Sequence, residues 1–170
     1  RVATARAGNV IGGGDWTEKR LIPDCMKKWL NNRIVMLRNP HATRPWQHVL
    51  EALNGYLILA KKLSQDEKIN GQSFNFSSNK IKNETVLNFI KKIKHIWPSI
   101  KWKINKQNKF YESTLLQLSN TKAKKVLRWS AKLNLEETIN FLVEWYKSYK
   151  LDRNSVYKIS LKQIKRFQNK

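Results

Sequence analysis

The stretch Val2-Ala-Thr-Ala-Arg-Ala-Gly-Asn-Val-Ile-Gly-Gly-Gly-Asp-Trp16 carries two signals in one run. Val2 to Arg6 reads as a short buried strand, and Gly8 to Asp15 as a glycine-rich turn leaving it. Gly8, Gly12, Gly13 and Gly14 permit tight turns and close backbone approach. The whole is a strand-to-loop crossing at the carboxyl end of a strand, where ligands sit in open α/β sheets. A dinucleotide fingerprint would lead from its glycines into a helix, but here Asp15, Trp16 and Thr17 follow. A P-loop would continue Gly-Lys-Ser/Thr, which is absent. On this segment alone a purely structural turn stands open beside the ligand reading.

Working outward, Pro23 sits where a helix can begin, and Asp24 to Asn31 continue it. Ile34 to Leu37 reads as a strand. Val49, Leu53, Leu57 and Ala60 have the period of an amphipathic helix. Asn70-Gly71 breaks the chain, and Ser73 to Phe76 reads as another strand. Asn83 is expected to cap a helix whose face is Val86, Phe89, Ile90, Ile93 and Trp97, stopped by Pro98. Lys101 to Ile104 alternates like a strand, and Ser119 or Asn120 can cap a short helix through Leu127. Asn134 and Glu137 have capping-box spacing before a helix with Leu135, Ile139, Leu142, Val143 and Tyr146 on one face. This alternation of strands and helices predicts an α/β protein. Residues 151–170 form a basic amphipathic tail, with Val156, Ile159, Ile164 and Phe167 between lysines. It reads either as a helical extension packed lightly on the body or as a helix on an anionic membrane surface.

The chain has 170 residues, 41% of them apolar, enough for a folded core. No apolar run approaches the roughly 18 residues of a membrane span. The single cysteine, Cys25, excludes a disulfide framework and favours a reducing, cytoplasmic compartment. With three histidines it also argues against a structural zinc site. The net charge of +22 can be the footprint of a nucleic-acid binder. Against that, the 25 lysines and nine arginines are dispersed, and no RNP pair, GXXG loop or zinc-finger spacing accompanies them. Nucleic acid is therefore the lesser reading, and a phosphate-bearing small ligand is another.

Arg44, in Arg38-Asn-Pro-His-Ala-Thr-Arg-Pro-Trp-Gln-His-Val-Leu50, bears on that choice. A guanidinium is a planar fork suited to a diphosphate. A surface salt bridge, for example to Glu51, is the alternative. His41 and His48 read as ordinary polar loop residues. Cys25 reads as structural. No catalytic constellation stands out. The carboxylate pairs Asp66-Glu67 and Glu136-Glu137 fall in a turn and at a helix start.

At these motifs the sequence resembles a known family. Arg6 to Trp16, Arg20-Leu-Ile-Pro-Asp24 and Arg38 to Val49 are similar to the CDP-glucose 4,6-dehydratases, a branch of the extended short-chain dehydrogenase/reductases. The similarity continues through Tyr111-Glu112, Leu118 to Trp129, and Leu133 to Lys147, covering residues 1–150. It implies the last strands of a Rossmann domain with a small mixed α/β substrate domain, the amino-terminal Rossmann half lying outside. It implies water loss from CDP-glucose to a 4-keto-6-deoxy sugar, with NAD taking hydride from C4 and returning it at C6. The family's glycine-rich NAD motif and its Tyr-x-x-x-Lys pair precede the matching region. Tyr146 and Lys150 fit that spacing by letter only, on the final helix. The expectation is thus a C-terminal fragment without catalytic residues, inactive alone, whose NAD is held mostly by the other half.

The residues the resemblance carries over are for binding. Asn9 matches an asparagine bonded to the nucleotide diphosphate, with Gly8 and Val10 facing the nicotinamide. Arg20, Leu21 and Ile22 match a segment lining the nucleotide, and Val35 and Leu37 a strand beside the base. Arg44 matches the diphosphate clamp, and Tyr111 and Glu112 a loop near the ribose. No metal is implied, and the complete enzyme is expected to be a homo-oligomer with CDP-glucose as its small-molecule partner and no membrane contact. Arg128 departs from the family's usual glycine, at a position that favours a left-handed backbone. The tail after Lys150 has no family counterpart. A basic binding module and a remnant without function are the alternatives.

Overall fold

The computed structural model describes residues 1–78, 84–105 and 118–170. The predicted strands and helices occur in the expected order, with two further strands, β2 and β4, that the sequence does not signal. The strands are β1 (Thr4–Ala7), β2 (Asn9–Ile11), β3 (Val35–Leu37), β4 (Trp46–His48), β5 (Ser73–Phe76) and β6 (Trp102–Ile104). The helices are α1 (Leu21–Leu30), α2 (Val49–Gln65), α3 (Val86–Ile96), α4 (Thr121–Leu127), α5 (Leu135–Leu151) and α6 (Val156–Gln168). The strands pair in parallel as β1–β5, β2–β4 and β3–β6, each a two-stranded sheet.

β1 and β5 pair from Thr4 opposite Ser73 to Ala7 opposite Phe76. Phe74 and Phe76 point inward, where Leu59, Ala123, Leu127 and Trp129 meet them. Gly8 then interrupts the strand. A Cβ there would stand 2.7 Å from the Pro45 carbonyl oxygen, so only glycine lets the two segments touch. β2 begins at once and pairs with β4, which Gln47 ties back to β5 by donating Nε2 to the Phe76 carbonyl at 2.8 Å. A second core fills the space among α1, α3, α5 and β3, around Met26, Leu37, Phe89, Ile93, Leu142 and Tyr146. The turn between β2 and α1 packs against Trp145 of the second core.

Several expectations change in detail. β1 is exposed rather than buried, and Val2 before it is 68% exposed, because β5 is its one partner among the described strands. The loop assigned to Gly8–Asp15 contains β2. α2 forms where the apolar period places it but turns the other way. Leu53 and Leu57 face outward, while Ala52, Gly55 and Leu59 are buried. α3 is capped by Thr85, whose Oγ1 accepts from the Asn88 amide at 3.2 Å; Asn83 lies outside the described residues. Asn120 is the cap residue of α4, with its Nδ2 donating to the Ser77 carbonyl just after β5, while Ser119 Oγ accepts from the Thr121 amide at 3.4 Å. The Asn134–Glu137 capping box is present in both directions, each bond at 2.9 Å. The tail forms α6, whose Ile159 and Phe167 are buried against the body while Ile164 remains exposed. No described helix is long and apolar enough to cross a membrane.

Candidate functional site

A cavity of about 630 Å³ opens between β2, the first turns of α1 and the loop from β3 to β4. The β2–β4 pairing places Asn9 and Val10 on one wall. Arg20, Leu21 and Ile22 line the cavity at the amino end of α1, where Pro23 has no N–H and the Leu21 and Ile22 amides precede the first intrahelical bond, from Asp24 to the Arg20 carbonyl. Val35 and Arg44 also line it. Five cations line the cavity, Lys19, Arg20, Lys28, Arg38 and Arg44, against one lining carboxylate, Asp24, among the described residues. With the positive end of α1 beside them, the field favours an anion.

Seven of the residues carried over from the resemblance therefore share one cavity: Asn9, Val10, Arg20, Leu21, Ile22, Val35 and Arg44. The Asn9 side chain makes no hydrogen bond to a described residue, so its amide is available to a ligand. Leu37 is fully buried in the core and does not reach the wall. Gly8 packs against Pro45 outside the lining. Tyr111 and Glu112 lie outside the described residues. Lys19, Lys28, Arg38 and Asn39 also line the cavity and were not singled out, because scattered basic residues carry no signal until the fold gathers them.

The Arg20 guanidinium is held on both sides. Nη1 lies 3.0 Å from Asp15 Oδ2, and Nη2 donates to the Val10 carbonyl at 3.1 Å. Arg44 Nη1 donates to the Thr43 carbonyl at 2.8 Å. Glu51, the example given for a salt bridge, joins α2 to the segment before α5. That carboxylate is buried, and its Oε1 accepts from the amides of Lys132 and Leu133 at 2.8 and 2.7 Å. Cys25 lines the cavity from α1, but burial pushes its thiol up to about 12, so it is not a nucleophile near neutral pH.

Tyr146 and Lys150 do not form a proton-transfer pair. The Tyr146 hydroxyl donates to the Asp15 carbonyl at 2.8 Å, and burial drives its pKa above the ordinary tyrosine range. Lys150 instead donates to Asn32 Oδ1 at 2.9 Å. The glycine-rich turn is also not an empty cradle. A Cβ on Gly13 would fall 2.0 Å from the Trp145 ring, which already fills the concavity. Neither that turn nor any other described segment offers a strand–glycine–helix seat for a dinucleotide. Among the described residues no group of three or more His, Cys, Asp or Glu side chains could hold a metal ion.

Comparison with known proteins defines the class first. No family model matches the chain. A UDP-glucuronic acid 4-epimerase from Bacillus cereus, solved with UDP-glucuronic acid and NAD, superposes at a TM-score of 0.70 and 16% identity, over 84% of this chain and 44% of that one. A dTDP-glucose 4,6-dehydratase from Bacillus anthracis in complex with NAD superposes at 0.66 and 17% identity, over 92% and 47%. These likenesses show the fold: a mixed α/β unit with parallel strands that matches less than half the length of chains with the short-chain dehydrogenase/reductase fold. In sequence it is similar to CDP-glucose 4,6-dehydratase of Salmonella typhimurium strain LT2, 38% identical over 149 residues. That match covers 87% of this chain and 42% of the relative, so the chain spans less than half the relative's length.

Proposed function

We propose that the cationic cavity binds the diphosphate of a nucleotide sugar, CDP-glucose in particular, and that the chain is the nucleotide-binding portion of a 4,6-dehydratase. The observation that carries this is convergence. Seven residues from four separate segments, all carried over from the resemblance, line one cavity with a large excess of cations. Arg44 and Arg20 offer guanidinium forks, Asn9 a free amide, and α1 its first-turn N–H groups. Val35, on the cavity lining, is assigned to the base.

The chemistry of dehydration lies elsewhere in this reading. No described pair can relay a proton as Tyr-x-x-x-Lys does, and Trp145 occupies the glycine-rich turn. As the resemblance implies, NAD is assigned in this reading mostly to the amino-terminal half of the enzyme, with Val10 and Gly8 its neighbours here. The chain alone is expected to be inactive toward CDP-glucose; the complete enzyme would be a cytoplasmic homo-oligomer.

Calorimetric titration tests this directly. CDP and CDP-glucose should bind with a strong salt dependence, and UDP-glucose more weakly. Arg44→Ala should weaken CDP binding at least tenfold, as loss of a charge-assisted contact does. Equal affinity for CDP in wild type and Arg44→Ala would remove the diphosphate assignment. A salt-sensitive shift with arbitrary RNA but none with CDP would favour the basic-module reading.

A further inference from the structure

We propose that Tyr146 is a positioning residue for the diphosphate site: by holding Asp15 it fixes the Arg20 guanidinium at the mouth of the cavity. Its consequence for binding rests on the nucleotide reading above; its geometry does not.

Arg20 is close to half exposed, at 46% for its side chain, and a surface arginine ordinarily samples many rotamers. Here two of its nitrogens are committed, one to Asp15 Oδ2 and one to the Val10 carbonyl. Three of its five N–H groups remain for a ligand. The fork is then oriented only as well as Asp15 is. Asp15 lies on the turn after β2, three residues beyond Gly12, and no regular element contains it.

The turn is held from α5. The Tyr146 hydroxyl donates to the Asp15 carbonyl at 2.8 Å. The Trp145 ring fills the space beside Gly13, and Trp16 packs edge-on to Tyr146 with ring centroids 5.3 Å apart. Asp15 Oδ1 accepts from the Thr17 amide at 3.1 Å, which sets the carboxylate's rotation. α6 supports the same clamp, since Trp145 Nε1 donates to Ser160 Oγ at 3.0 Å. A continuous path thus runs from α5 through Asp15 to Arg20 and the cavity wall at Val10. Tyr146 is itself absent from that wall.

The test combines two readouts on the full chain. In the ligand-free protein the Arg20 Nε–H resonance, assigned by its loss in Arg20→Ala, should move in Tyr146→Phe, which keeps the ring and its packing. Asp15→Ala should move it in the same direction. A resonance unchanged in Tyr146→Phe overturns the proposal whatever CDP does. In CDP titrations Tyr146→Phe should weaken binding about five- to tenfold, and the double variant with Arg20→Ala should bind no worse than Arg20→Ala alone. Multiplying losses would show that Tyr146 acts independently of Arg20 and also overturn it. A wild-type chain that fails to bind CDP would instead remove the nucleotide reading, and the Arg20 resonance would still decide the relay.

Discussion

Arg128 closes α4 at φ 55° and ψ 25°, in the left-handed region. Its departure from a glycine pattern was legible as a point of backbone cost, and the structure places it in that conformation. Arg128→Gly should therefore stabilise the chain by about 1 kcal/mol in urea unfolding, unless the lost restraint on the unfolded chain offsets it fully. His48 was not legible. It reads as a lone loop histidine, yet the fold buries it between α2 and Phe141 and makes it the cap of α2, with Nδ1 accepting from the Leu50 amide. Burial lowers its pKa from 6.5 to about 4. The unfolded chain thus takes up the proton first as pH falls. The stabilisation is complete above about pH 6.5 and is lost progressively toward pH 4, by on the order of 3 kcal/mol. Urea unfolding of wild type between pH 7 and 4 should show this slope, and His48→Gln should flatten it.

At the scale of elements, the capping box of α5 was read correctly because a box needs only two residues at a fixed spacing. Asn134→Ala should cost about 1 kcal/mol in the same assay. The face of α2 was read wrongly for a reason of comparable simplicity. Apolar period marks Leu53 and Leu57 as core, but Leu57 is 72% exposed, and Gly55 packs against the Phe76 ring instead. A glycine does not register in an apolar count, although its missing Cβ is what admits the ring. A Cβ at residue 55 would meet Phe76 Cδ1 at 2.4 Å. Gly55→Ala should accordingly destabilise by about 1–3 kcal/mol despite the better helix propensity of alanine, whereas Leu57→Lys should be nearly neutral.

At the scale of the whole molecule, the strand and helix order was legible from local pattern, and the cavity was not. Its lining runs from Asn9 to Val86, 77 positions apart, and pairing of β2 with β4 brings Asn9 beside Trp46. The resemblance supplied the residues; the fold supplied their convergence and added Lys28 and Arg38. Parallel strands are ordinarily buried on both faces, yet β1 is exposed beside its one described partner. Together with a span of 42% of the relative's length, this fits the proposal that β1 gains a second neighbour from outside the described residues. Addition of a polypeptide carrying the amino-terminal portion of such a dehydratase should raise the melting temperature and protect the Ala5 and Ala7 amides from hydrogen exchange. A cooperative melt of the lone chain above about 65 °C, unchanged by that partner, would count against an incomplete sheet.

The central claim concerns where the diphosphate lies, and chemical-shift mapping of the isotopically labelled chain with CDP tests it most directly. The perturbed amides should be Asn9, Val10, Leu21, Ile22 and Arg44, around one cavity, with the two phosphorus signals of CDP shifting in step. Perturbations scattered over the lysine-rich surface, with these five amides unmoved, would contradict it.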